Sequence, residues 1–234
     1  WFKTNDPQNN PTSFFNDTTN LEAWYRFDGG ATNMLLDSSG KGRSLTNNGA
    51  TFDSNNRITG NGSLAMNSTA NEQYVSISSL NPFNIWSSNG NGMTISFWGR
   101  FVSTGQNGRI FDFNNASSTS TNPTVSITMY IGTTGNLSLY ILNNVQTFSQ
   151  FTFTGNFLTS SFYNIVWTIN YSNSTGVNAT GATSTVYING VNQNISYDKY
   201  IPAGTTWNYL WLGRGAWTSA GDGFLKGNID DFRI

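Results

Sequence analysis

Apolar and polar residues alternate in short runs along most of this 234-residue chain, and a period of two is that of half-buried β-strands. Val125–Ile131 places Val125, Ile127, Met129 and Ile131 on one face and Ser126, Thr128 and Tyr130 on the other. Leu137–Ile141 repeats the alternation, and the Gly-Thr-Thr-Gly stretch 132–135 between the two runs predicts a hairpin. Met93–Phe101 puts Met93, Ile95, Phe97 and Gly99 opposite Thr94, Ser96 and Trp98. Phe162–Ile169 is strongly apolar, which predicts a central strand. Val186–Val191 predicts a tight hairpin with Asn189 and Gly190 at its tip. Further strands are predicted at Leu21–Phe27, Ala50–Phe52, Ser63–Met66, Gln73–Ser78, Arg109–Phe113, Phe148–Phe153, Trp207–Leu212 and Gly227–Ile234. Asn81–Trp86 reads as a loop or a single helical turn, and Tyr171–Ser184 as a polar loop. No stretch sustains a helical period. About a dozen short strands with Gly/Asn turns predict an all-β, two-sheet antiparallel jelly-roll sandwich.

The closing strand organises the rest. Its natural partner is Leu21–Asp28, so pairing would tie the two ends of one domain, residues 21–234, together. Residues 1–20 are rich in Asn, Pro and Thr and show no period, as in a linker or an arm. Their aromatic pairs, Trp1-Phe2 and Phe14-Phe15, point to docking, either on the domain's own surface or on a neighbouring subunit. Ile234 stops inside a strand motif, which predicts a piece of a longer chain.

Composition narrows the chemistry. There is no Cys and no His, which removes disulfides, thiol nucleophiles, the usual general base and the commonest transition-metal ligands. Charged residues are 10% and the net charge is -1, which argues against nucleic acid and against attachment to anionic lipid. No apolar run approaches the roughly 18–20 residues of a membrane-spanning helix, and the start of the chain shows no secretory leader. Aromatics at 15% supply a packed core despite the low charge.

Glycoside hydrolysis needs two carboxylates about 5–10 Å apart. Only two Glu are present, Glu22 and Glu72, and neither has an acid within one or two strand positions. Asp230 and Asp231 are adjacent, so a regular strand turns them to opposite faces. A Ser triad lacks its base. These features predict no catalytic residues. Sugar binding needs aromatic faces beside amide and carboxyl groups. Trp86, Trp207, Tyr209, Trp217 and Phe224 lie near loops, and Arg214, Trp217 and Asp222 share one loop. Trp217 carries the most weight because no apolar alternation surrounds it. Trp207, Tyr209 and Trp211 fit core packing equally well, and Trp24, Trp98 and Trp167 read as structural. The candidate ligand-binding residues are therefore Trp217, Arg214, Asp222 and Tyr209. Asn-x-Ser/Thr sequons stand at Asn16, Asn67, Asn115, Asn136, Asn170, Asn173, Asn178 and Asn194, and they matter only in a glycosylating compartment.

A series of short motifs carries a resemblance. They are Ala23–Asp28, Leu36–Gly42, Gly60–Met66, Met93–Trp98, Val186–Gly190, Leu210–Arg214 and Lys226–Ile234. In this order they resemble a laminin-G-like jelly roll of the concanavalin-A-like superfamily, over residues 21–234. The resemblance implies the fold above and, in many similar domains, Ca²⁺ near the end of the first strand. It would be held here by Asp28, Asp37 and Asp230, supplemented by turn carbonyls. Read without the resemblance, Asp28 and Asp37 cap turns. The expected function is a non-catalytic extracellular binding or adhesion module for glycan or protein, calcium-assisted. The alternative is a structural subunit of a surface filament, coat or virion, contacting neighbouring subunits and binding no small ligand.

Overall fold

A computed structural model of the protein describes residues 21–67, 72–78, 92–104, 107–116, 123–142, 148–171, 178–195, 198–202, 207–217 and 222–234. The expectations for residues 1–20, for Asn81–Trp86 and for the sequons at Asn16 and Asn173 lie outside the described residues.

The elements follow in chain order. β1 (Trp24–Tyr25) leads into a four-residue helix, α1 (Gly30–Asn33). Then come β2 (Thr46–Asn48), β3 (Thr51–Asp53), β4 (Ser63–Met66), β5 (Tyr74–Ser78), β6 (Gly92–Thr104) and β7 (Gly108–Asn114). A meander follows: β8 (Ser126–Ile131), β9 (Leu137–Leu142) and β10 (Phe148–Phe153). The chain finishes with β11 (Phe162–Tyr171), β12 (Asn178–Ile188), β13 (Val191–Asn192), β14 (Asp198–Pro202), β15 (Tyr209–Leu212) and β16 (Leu225–Arg233).

These strands make two antiparallel sheets. One has nine strands in the order β13-β12-β11-β6-β16-β4-β3, with β1 added on β16 and β14 on β12. The other has seven, β10-β9-β8-β7-β15-β5-β2. Non-consecutive neighbours such as β6-β16 and β7-β15 are the crossovers of a jelly roll. The ends of the described domain meet as expected: Trp24 pairs with Arg233 and Tyr25 with Phe232, and the Ile234 N–H donates to the Ala23 carbonyl at 3.0 Å.

Alternation decides the inner faces. Met93, Ile95, Phe97 and Phe101 of β6 meet Ile127, Met129 and Ile131 of β8 and Leu137, Leu139 and Ile141 of β9 in one core. Phe111 stands at its centre. Its ring lies 6.1 Å from Phe97, 6.3 Å from Trp167 and 5.9 Å from Phe232, all on the opposite sheet. The 188–191 hairpin forms as predicted, with Ile188 opposite Val191. Asn189 and Gly190 take φ of 51° and 78°, which these residue types tolerate in a two-residue turn.

One predicted loop is mostly strand. β11 runs on to Tyr171, and β12 begins at Asn178, pairing Tyr171 with Ala182 and Ala179 with Ile201. Ladder hydrogen bonds on both sides of β12 outweigh its Asn/Thr/Gly composition, and Thr suits strands. Trp207 sits in the core at 1% exposure, edge-on to Phe113, so it is not a ligand-facing ring.

Candidate functional site

Strands whose inner residues are apolar leave their outer residues for chemistry. On the seven-stranded sheet that outer face carries Asp112, Asn114, Ser126, Thr128, Tyr130, Ser138, Tyr140, Gln150 and Trp211. Much of it is covered. Asp112 is fully buried: Ser126 Oγ donates to its Oδ1 at 2.7 Å and the Ala216 N–H to its Oδ2 at 2.9 Å. The segment Gly213–Trp217 after β15 is therefore pinned across the sheet. Gly215 lies over Arg109, so close that a Cβ there would come within 2.6 Å of the Arg109 Cγ.

Beside this pinned segment is a depression of about 250 Å³. It is lined by Asn107, Arg109, Tyr130, Tyr140, Gln150, Trp217 and Asp222. Adjacent strands set the spacing: Arg109 is opposite Tyr130, and Tyr140 is opposite Gln150. Gln150 Nε2 donates to the Tyr130 hydroxyl at 2.7 Å. The Trp217 indole meets the Tyr140 ring edge-on at 6.0 Å, and the Arg109 guanidinium lies 4.6 Å from the Tyr130 ring centre. Arg109 Nε and Nη2 both donate to Asp222 Oδ2, at 2.8 and 2.5 Å, and Asn107 Nδ2 donates to Asp222 Oδ1 at 3.2 Å. Burial pushes the Asp112 carboxyl up to about 6, against the opposing pull of Arg109 and its two hydrogen bonds.

Of the four ligand-binding residues expected, Trp217 and Asp222 come together here. The other two do not. Arg214 is buried and turned toward Tyr74, Trp211 and Phe224, with Glu72 at 3.8 Å. Tyr209 stacks on Trp211 at 4.9 Å, in a second small cluster with Ala116 and Ala216. Only Gly215 and Ala216 separate Arg214 from Trp217 in the sequence, yet Arg214 turns toward Tyr74, Trp211 and Phe224 while Trp217 meets Tyr140. Asn107, Arg109, Tyr130, Tyr140 and Gln150 were missed. A signal existed for the tyrosines, since both occupy outward positions of strictly alternating strands.

A second polar corner lies where β1 ends. Asp28 Oδ1 accepts from the Asn61 N–H at 2.7 Å, and Asp230 Oδ2 accepts from the N–H groups of Ile58 and Thr59 at 2.8 and 3.0 Å. Both acids thus cap the turn 57–61. Gly60 takes φ 59° there, and a Cβ would fall 1.7 Å from Asp28 Oδ1. Asp28 Oδ2 has Arg26 Nη2 at 3.0 Å without hydrogen-bond alignment, and Asp230 Oδ1 is buried with no hydrogen-bond partner. Burial raises both carboxyls, Asp230 to about 7 with added repulsion from Asp231 and Asp28. Asp230 Oδ1 is the oxygen left for a hard cation, whereas Asp28 Oδ2 is already ion-paired with Arg26.

Asp37 does not join them. Its oxygens accept from the N–H groups of Trp24, Ser39 and Arg43 and from Ser39 Oγ, which holds the turn after α1 and lowers its pKa despite burial. Asp231 is also occupied, by Trp24 Nε1 and Arg233. Among the described residues no three acids surround one point. The expected three-carboxylate set is therefore two carboxylates.

Sequon positions differ in access. Asn67, Asn170 and Asn194 are exposed. Asn115 is engaged on both ends, Nδ2 donating to Thr124 Oγ1 at 2.8 Å and Oδ1 accepting from the N–H groups of Thr124 and Val125. Asn136 Oδ1 accepts from the Gly155 N–H at 3.2 Å, and Asn178 opens β12.

A laminin-G family model of the concanavalin A-like lectin/glucanases superfamily matches residues 68–234. The chain belongs to this superfamily. A search of curated proteins found no match. Among solved structures, this superfamily member is similar to botulinum neurotoxin type C, which depends on interaction with two ganglioside molecules to enter cells. The identity is 16% and the TM-score 0.64, over 94% of this chain and 49% of that one. The binding domain of Paraclostridial Mosquitocidal Protein 1 is similar at 16% identity and TM-score 0.59, over 92% of this chain and 48% of that one. An endo-β-1,4-glucuronan lyase from the fungus Trichoderma reesei is similar at 12% identity and TM-score 0.53, over 90% and 93%. The chain thus spans about half the length of the toxin structures it matches, and at these identities the likeness shows the fold. No described helix is long and apolar enough to cross a membrane.

Proposed function

We propose that this superfamily member is a non-catalytic, extracellular glycan-binding module, with its site in the depression between β7, β8, β9, β10 and the Trp217 segment. The observation that carries the reading is the lining itself: Trp217, Tyr130 and Tyr140 offer ring faces for sugar C–H groups, while Asn107, Gln150 and Arg109 hold amide and guanidinium groups for hydroxyls. The likeness to botulinum neurotoxin type C, whose cell entry depends on two ganglioside molecules, and to the binding domain of Paraclostridial Mosquitocidal Protein 1 supports it. A non-catalytic role is supported by the carboxylates. Asp222 is tied to Arg109 and Asn107, and Asp112 is fully buried, so among the described residues no free acid pair faces the cavity. Trp217→Ala is expected to abolish glycan-array binding by the purified domain, with its thermal unfolding little changed. Undiminished binding by this variant would place the site elsewhere, and hydrolysis or β-elimination of a polysaccharide would overturn the non-catalytic role.

Calcium is proposed at Asp28 and Asp230, away from the glycan depression, where it would neutralise the buried Asp230 carboxylate and the half-buried Asp28. At a hundredfold above its dissociation constant it would stabilise the fold by about 2.7 kcal/mol, roughly 5–10 °C in melting temperature. Asp230→Asn is expected to remove that response. In chelator the same variant tests proton linkage. The folded pKa values of Asp230 and Asp112, about 7 and about 6, lie above the ordinary carboxylate value. Native protein then binds protons more tightly than unfolded chain, so stability falls as pH rises from 4 through 7. Wild-type melting temperature should therefore drop by several degrees between pH 5 and pH 8, and Asp230→Asn should flatten the drop. A flat wild-type profile in chelator would refute the raised carboxyls.

A further inference from the structure

Two corners of the domain hold buried polar atoms without a hydrogen-bond partner among the described residues. On the acid corner they are acceptors. Around the depression they are donors: Arg109 Nη1 and Trp217 Nε1 are both buried and have no hydrogen-bond partner among the described residues. A buried donor left unmade costs the site free energy, and a ligand acceptor that meets it recovers that cost. Arg109 itself is only 6% exposed, held over Tyr130 by the Asp222 fork, so its third nitrogen is aimed by a rigid frame.

Two acceptors could satisfy this pair strongly, a carboxylate or an amide carbonyl. Charge separates them. Arg109 stands between two carboxylates, Asp222 in direct contact and Asp112 under Gly215, and these are the charged groups facing the guanidinium from the packed elements. One cation against two anions leaves the site net negative, which repels a third carboxylate. Size adds a limit. About 250 Å³ is less than the roughly 300–1,000 Å³ of drug-sized pockets, so one sugar ring with a small substituent fills it. The edge-on corner of Trp217 and Tyr140 is apolar and suits a methyl group.

We propose that the depression recognises a neutral N-acylated sugar residue, whose acyl carbonyl accepts from Arg109 Nη1 and Trp217 Nε1. The inference rests on the glycan-binding reading and names the ligand class for that same site. Both donors are buried, so binding requires the Trp217 side chain to turn and open them to the depression.

The test compares the methyl glycosides of N-acetylglucosamine, glucose and glucuronic acid, titrated against the indole N–H resonances of the intact chain. The N-acetylglucosaminide is expected to bind about tenfold more tightly than either of the others, the yield of one well-made hydrogen bond to a charged donor plus its methyl contact. Trp217→Phe keeps a ring at the corner and removes the Nε1 donor. It should cut the N-acetyl preference to about threefold, read as the ratio of the two affinities so that any general weakening from the smaller ring cancels. Equal affinity for glucoside and N-acetylglucosaminide, or tightest binding of the glucuronide, would overturn the N-acyl inference and leave the glycan reading standing. Array hits that lack N-acyl sugars would do the same. Absence of binding to every sugar, array included, would overturn both.

Discussion

Replacing Phe111 by Ala is expected to lower the unfolding free energy by about 4 kcal/mol and the melting temperature by roughly 8–16 °C. The ring is fully buried and touches aromatic side chains of both sheets: Phe113 beside it, and Phe97, Trp167 and Phe232 across the sandwich. Those partners sit on separate strands, β6, β11 and β16, whose backbones are fixed by their own ladders. Such a site collapses poorly around a cavity, so the loss belongs at the high end for a buried aromatic. Chemical denaturation of the variant and wild type measures it. A loss below about 1.5 kcal/mol would mean that the two sheets repack, and that the packing described for β7 does not hold them together.

Arg109→Met should cost a comparable amount for a different reason, about 3–5 kcal/mol. The side chains of Arg109 and Asp222 are 7% and 6% exposed, so the pair is a buried one. Methionine matches much of the arginine stem and keeps contact with Gly215 and Tyr130, but it strands the Asp222 carboxylate and removes the charge that favours ionised Asp112. The penalty is that of uncompensated buried anions rather than the net worth of the ion pair. It should therefore be partly relieved in the double variant Arg109→Met/Asp222→Asn, and it should shrink on acidification as Asp112 takes up its proton. The single variant is also expected to lose glycan binding, because Asp222 and Arg109 together hold the rim of the depression. Additive effects of the two substitutions, with no dependence on pH, would show that the pair is solvated and that the site is not built on it.

Those two positions illustrate how far the residues alone carry the reading. Strand positions were legible because burial on one face of a pleated strand writes a period of two into the side chains, as in Met93–Phe101 and Val125–Ile131. The closing pair of strands was legible because aromatic and β-branched residues flank Gly at both ends. Where composition and pairing disagree, as in Asn178–Ser184, the ladder decided and the polar reading failed. Trp207 and Trp217 differ in their local sequence, since Trp207 leads an alternating run and no apolar alternation surrounds Trp217. One is core and the other lines the depression: Trp207 precedes β15 and packs edge-on against Phe113, while the segment after β15 brings Trp217 to Tyr140.

The candidate site divides in the same way. Asp28 and Asp230 were joined from sequence because the strands bearing them were expected to pair, and both now cap one turn. Asp37 was grouped with them through the resemblance, yet its carboxylate closes its own turn, since short-range N–H donors reach it first. Arg109, Tyr130, Tyr140 and Gln150 lie on four strands spread over about forty residues, and no local pattern joins them. By itself the sequence determined the alternation, hence the two sheets, their inner faces and the absence of His and Cys chemistry. Only the tertiary structure decided which outward residues meet, because strand order and the path of the Trp217 segment are set by packing between residues far apart in the chain.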